Sequence, residues 1–186
     1  RAPGGPTVYE LIRARHFTPK ASRSIRWIVI HTMETMCKPR VARAVAGWFA
    51  GPRAPNASAH YCVDPAEIIQ CVADHDMAWH CGSPGNAQTI GVELAGRASM
   101  TAADWSQPMP QAMLRRAAAL VAGLCGKHNI EPQHCDRVAL RAGVGGLTGH
   151  DDVRRAWGGT THTDPGASFP WAAFAGLVIE EMTPMP

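Results

Sequence analysis

The run Ile25-Arg26-Trp27-Ile28-Val29-Ile30 constrains the fold more than any other stretch of the chain. It is too apolar for a strand with one wet face, so it reads as a strand buried in a sheet interior. It delivers His31 at its end, and the polar, turn-like Thr32-Met33-Glu34-Thr35 follows. A histidine in that place is either packed or held out as a ligand on a rigid support.

The rest of the chain supplies a sheet and helices to cover it. Val41, Val45, Trp48 and Phe49 recur at helical spacing, and Gly51-Pro52 ends that helix. Residues 58–64, "SAHYCVD", read as a strand, Pro65-Ala66-Glu67 as a turn, and "IIQCVA" as the hairpin partner. Residues 74–88 are polar and irregular, and "TIGVELAG" is the next strand. Met113, Ala117, Leu120, Val121 and Leu124 mark a long helix begun near Pro110 and ended before "KHNIEP". Gly143 to Gly149 reads as a glycine-rich loop closing on His150, and "WGGTTHTDPGASFP" as a second. Ser168 is positioned to cap a last helix, with Trp171, Phe174, Leu177 and Val178 on one face. Strands alternate with helices, which gives an α/β or α+β class with a mixed sheet and helices packed on it. Residues 1–24 read as an irregular extension with a loose "RAPGGP" start and a short turn at Tyr9 to Ile12. Residues 25–180 read as the domain and 181–186 as a tail.

A length of 186 residues suits one domain with a sizeable core. The formal net charge of +3 is mild, and no Lys/Arg cluster is interleaved with aromatics, so no nucleic-acid partner is expected. No apolar run is long enough to insert in a membrane. A monomer is the default expectation. The six cysteines form no CxxC pair; disulfides in an oxidising compartment and buried thiols both remain open. The start at Arg1, without methionine, is expected of a mature product or an excised domain.

Nine histidines is a high count, and His31, His60, His75, His80, His150 and His162 fall in loops or at strand ends. A catalytic zinc site needs three ligands on rigid supports with a fourth position open. His31, His150 after its glycine-rich loop, and Asp164 before Pro165-Gly166 can form such a set. HExxH is absent, which excludes a helix-borne metalloprotease site. A solvated or merely hydrogen-bonding role is the competing account of any single loop histidine.

Six segments in order, "IVIHTM", "SAHYCVD", "AWHCG", "NAQTIGVELAG", "TGHDDV" and "HTDPGASFPW", resemble the zinc-dependent N-acetylmuramoyl-L-alanine amidases. That family includes peptidoglycan recognition proteins and phage endolysins. The resemblance covers roughly residues 25 to 175, and the chain looks most like an endolysin amidase domain. It implies an α/β fold of the peptidoglycan recognition protein/type 2 amidase kind, with a mixed central sheet flanked by helices and residues 25–180 as the zinc amidase domain. It implies Zn²⁺ held by His31, His150 and Asp164. It matches the family's catalytic glutamate to Glu93. Some members use a tyrosine directly before the second-strand histidine, but here Ala59 precedes His60, and Tyr61 should point to the opposite face. Where the family often has a lysine two residues before the third ligand, this chain has His162, which is expected to take the oxyanion role. His60, Trp79, His80 and Asn86 are expected at the substrate, Asn86 alternatively bracing its loop.

The implied reaction is hydrolysis of the amide between N-acetylmuramic acid and L-alanine. The implied partner is bacterial peptidoglycan, with action on the cell wall after secretion or release by phage lysis. The alternatives are a non-catalytic peptidoglycan-binding module and a different metal hydrolase, such as a deacetylase.

Overall fold

The computed structural model describes residues 8–183, so the "RAPGGP" start and the last three residues lie outside it. The strand β3 (Trp27–Thr32) is buried at every position. It lies parallel to β7 (Thr89–Leu94) on one side and to β8 (Gly146–Gly149) on the other. A strand with parallel neighbours on both edges and layers on both faces has no wet side, which is why its sequence does not alternate.

The sheet continues outward from β7. β4 (Tyr61–Val63) pairs parallel to β7 and antiparallel to β5 (Ile68–Gln70), as the hairpin reading requires. β1 (Glu10–Leu11) adds a parallel edge strand to β5, giving the six-stranded order β1-β5-β4-β7-β3-β8. A separate two-stranded ribbon joins β2 (Phe17–Thr18) to β6 (Met77–Ala78). Part of the segment expected to be irregular therefore belongs to the sheets. Its pairing is made by backbone groups in two-residue strands, too short to leave a period in the sequence.

One face of the sheet carries the main core. Ile28 and Ile30 of β3, Ile90, Val92 and Leu94 of β7, and Tyr61 and Val63 of β4 meet two helices there. These are α3 (Pro108–His128), through Met113, Leu114, Ala117 and Val121, and α6 (Trp171–Met182), through Phe174 and Val178. Full burial of one such large side chain contributes roughly 1.5–3 kcal/mol. α3 has proline at its first position and ends on Asn129 at φ 54, a left-handed cap. A short helix, α2 (Ala102–Trp105), precedes it, closed by a Thr101–Asp104 capping box. α6 is entered from Pro170 with no side-chain cap, so Ser168 does not cap it as expected.

The opposite face carries two smaller clusters with a gap between them. Ala42, Ala46 and Phe49 of α1 (Val41–Ala50) cover Cys62 and Ile69. On the other side, Leu140 of α4 (Arg137–Arg141) and Val153 of α5 (His150–Trp157) cover Trp27 and Val29. The stretch read as a glycine-rich loop before His150 is in part β8, and His150 opens a helix. Glycine in a strand marks a close approach. A Cβ on Gly146 would stand 2.5 Å from both the Cys135 sulfur and the Gln133 carbonyl oxygen.

The described cysteines are all free thiols, and Cys62 and Cys71 approach to 3.8 Å between sulfurs. Among the described residues, no helix is long and apolar enough to cross a membrane.

Candidate metal centre and active-site cavity

Three parallel strands end side by side, and the functional side chains stand at their carboxyl ends, where open α/β sheets bind ligands. His31 is the fifth residue of β3, Glu93 the fifth of β7, and His150 directly follows β8. His31 and Glu93 are register partners and so project from the same face, into the gap between the two smaller clusters.

Asp164 reaches this point from the irregular segment after α5. Its backbone carbonyl accepts the N–H groups of His150 (2.9 Å) and Asp151 (3.3 Å), satisfying two donors at the start of α5. Two residues on, Gly166 has φ 91, and a Cβ there would run into the carbonyl of Ala98. Only glycine lets the loop lie that close.

His31 Nδ1 lies 2.8 Å from one carboxylate oxygen of Asp164, and His150 Nδ1 lies 3.1 Å from the other. One donor atom from each of the three residues falls within 4.8 Å of the others, and all three residues are buried. Burial alone would raise the Asp164 pKa, but His31 and His150 outweigh it and hold the carboxyl well below the usual carboxylate range. Burial lowers the pKa of His150.

Hydrogen bonding assigns the protons. The Thr89 hydroxyl donates to the Gly85 carbonyl (3.0 Å), so it accepts from His80 Nε2 (2.9 Å). His80 Nδ1 is then a bare acceptor and takes its hydrogen bond from His31 Nε2 (2.9 Å). That places a His31 proton on Nε2 and leaves Nδ1, 2.8 Å from a carboxylate oxygen of Asp164, to a second proton or to a bound cation. Two imidazole nitrogens and a carboxylate oxygen suit a divalent metal with an open position, and this site fits one.

Glu93 has a buried carboxylate oxygen with no hydrogen-bond partner among the described residues. Burial, reinforced by Asp164 and Glu34, pushes its pKa up to about 8.

These groups open onto a cavity of about 930 Å³. Val45, Trp48 and Phe49 of α1 form an apolar wall, and Gly159 to Asp164 form the facing one. Trp48, read as part of a helix's packed face, is 56% exposed and lines the cavity. Among the described residues no lysine or arginine lines it, so positive side-chain charge there must come from histidine. His162 is exposed and stacks on His150 at 5.0 Å between ring centres, with Nδ1 3.9 Å from Asp164. Thr160, which the sequence did not single out, meets His150 Nε2 at 2.8 Å.

Trp79 and His80 line the cavity, whereas His60 and Asn86 do not. The expectation for His60 is corrected by its burial: the ring is fully enclosed, and its Nδ1 accepts from the Gly91 N–H at 2.9 Å. Burial, with Arg23 beside it, lowers its pKa to about 3, so it is a neutral internal strut. Asn86 braces its loop, its side-chain oxygen accepting from the N–H groups of His80 and Cys81 at 3.0 and 2.8 Å. Tyr61 points to the main core, as its parity requires, and donates to Asp74.

The profile of the N-acetylmuramoyl-L-alanine amidase family matches residues 21–167, and the chain belongs to that family. Its His31, His150 and Asp164 form a cluster that could hold a metal ion. Protein Ami of Listeria monocytogenes is 34% identical over 116 residues, 61% of this chain, which spans only 11% of that protein's length. The 1,6-anhydro-N-acetylmuramyl-L-alanine amidase AmpD of Citrobacter freundii is 29% identical over 152 residues, 73% of this chain and 67% of its own length. The fold is similar to the Staphylococcus aureus hydrolase AmiA, solved with its ligand. The TM-score is 0.70 at 21% identity, over 96% of this chain and 84% of that one. The catalytic domain of XlyA gives a TM-score of 0.65 at 19% identity, over 92% and 99%.

Proposed function

We propose that the chain is a zinc-dependent hydrolase of bacterial peptidoglycan, acting on the amide between N-acetylmuramic acid and L-alanine. The observation that carries the reading is the cluster of His31, His150 and Asp164 beside an unpartnered Glu93, all facing one cavity. The family membership supports it, and the name of one relative, the amidase AmpD, describes the same bond class.

His31, His150 and Asp164 would hold the ion, which when bound supplies Lewis acidity at the amide carbonyl and acidifies water. Glu93 removes a proton from the attacking water. Its raised pKa suits a group that must take up a proton and release it near neutral pH. The C–N bond breaks, Glu93 passes the proton to the leaving nitrogen, and the products are a muramic acid carboxylate and a free peptide amine. His162 donates an N–H to the developing oxyanion, a role that falls to histidine where no lysine or arginine lines the cavity. Trp79 and the apolar wall of α1 position the stem peptide and glycan. The site of action would be the cell wall.

Mass analysis of purified peptidoglycan, digested by the protein before and after chelation and zinc add-back, tests this. Zinc-dependent release of stem peptides with a free alanine amino terminus is expected. New sugar amines, or binding without any released peptide, would overturn it in favour of a deacetylase or a binding module respectively.

A further inference from the structure

His80 lines the cavity, yet both of its ring nitrogens are already engaged inside the protein. Its backbone N–H donates to Asn86 Oδ1. Its ring occupies the space a side chain at position 91 would need, since a Cβ on Gly91 would stand 2.6 Å from it. It meets His31 edge-on, with ring planes at 90° and centres 5.1 Å apart. Three features of three separate residues thus fix one imidazole: Asn86 its backbone, Gly91 its slot, and Thr89 its Nε2.

We propose that His80 is a positioning residue that locks His31 in one tautomer and one orientation, and so sets how tightly the site holds a divalent cation. This rests on the reading that His31, His150 and Asp164 hold such an ion. Thr89 spends its only hydrogen on the Gly85 carbonyl, which obliges His80 to carry its proton on Nε2. His80 Nδ1 is then able only to accept, so His31 keeps a proton on Nε2, and Nδ1, 2.8 Å from Asp164, is the ring nitrogen left to ligate a cation. A His31 ring free to carry its proton on Nδ1 would block the ligating position. Such an outer partner of a ligand histidine typically changes metal affinity by roughly 10- to 100-fold.

The direct test is nitrogen-15 NMR of the metal-free wild-type imidazoles beside chelator-competition titrations with Zn²⁺ and Co²⁺ alone. His80 is expected with its proton on Nε2. His80→Phe, which keeps a ring but no acceptor, is expected to bind both ions roughly 10- to 100-fold more weakly. His80→Asn, whose side-chain oxygen can replace Nδ1 as acceptor, should recover most of that loss. Thr89→Val serves if His80→Phe fails to fold; it frees the His80 tautomer and should weaken binding several-fold, with a changed Co²⁺ absorption spectrum. A His80 proton on Nδ1, or His80→Phe (or Thr89→Val in its place) binding as tightly as wild type, overturns the inference alone. A wild-type protein that takes up neither ion overturns the functional reading with it.

Discussion

His31 and Glu93 are register partners in the parallel pair β3/β7, so a metal-ligand candidate and a carboxyl without a hydrogen-bond partner project from one sheet face on adjacent strands. Backbone hydrogen bonds, not flexible side chains, set their spacing. Changing Glu93 should therefore disturb chemistry without disturbing the ligands. Glu93→Gln should lower turnover on peptidoglycan by a factor of roughly 10² to 10⁴. Zinc content and the circular dichroism spectrum should match wild type. Turnover within a few-fold of wild type would remove Glu93 from the mechanism.

The same carboxyl should leave a signature in stability. Its pKa is pushed from 4.5 up to about 8 by burial, with Asp164 and Glu34 adding to it. Between those values the native state holds a proton that the unfolded chain has released, so stability falls as pH rises through that window and levels off above it. In the chelated protein, Glu93→Gln should thus raise the melting temperature more at pH 8.5 than at pH 5. Equal shifts at the two pH values would contradict the raised pKa.

Asp164 holds both histidines of the cluster through its side chain and the start of α5 through its carbonyl. Asp164→Asn keeps the carbonyl and removes the charge. It should lose zinc-dependent stabilisation, the rise in melting temperature that ligand linkage gives wild type when zinc is added. The apo protein should stay folded, because the main core lies on the far side of the sheet. Thermal scans with and without zinc decide the matter, and unfolding of wild type by mild chelation would count against it.

Gly91→Ala probes the slot beneath His80. The added methyl would meet the ring at 2.6 Å, and overpacking of this kind costs about 1–3 kcal/mol. The expected result is a modest loss of stability and a larger loss of activity, measured on one sample by denaturant unfolding and peptide release. An active, fully stable variant would mean that the ring has room to move.

His162 stands in the cavity where a lysine could replace it without burial cost, since its side chain is 71% exposed. His162→Ala should reduce turnover by roughly 10²–10³, as expected when one oxyanion donor is removed. His162→Lys should restore much of it. Kinetics of the three proteins at saturating substrate would show it, and an alanine variant as fast as wild type would assign His162 no part in the reaction.

The sequence by itself determined the buried strand that carries His31, the hairpin of β4 and β5, the long apolar face of α3, and the chemical types at the site. Each is a local matter, in which a run of β-branched residues or a helical period acts over a few positions. It did not reveal β8, where glycines that looked like a loop pair with β3, Cys135 and Gln133 standing too close to Gly146 to admit a side chain. Nor could it separate His60 from His80. One stands in a stretch read as a strand and the other in a polar, irregular one, and both were expected at the substrate, yet His60 is sealed beside Arg23 and His80 joins His31. That distinction, like the pairing of His31 with Glu93, depends on cross-strand register between segments distant along the chain. Register is settled only when the sheet closes and both of its faces are packed.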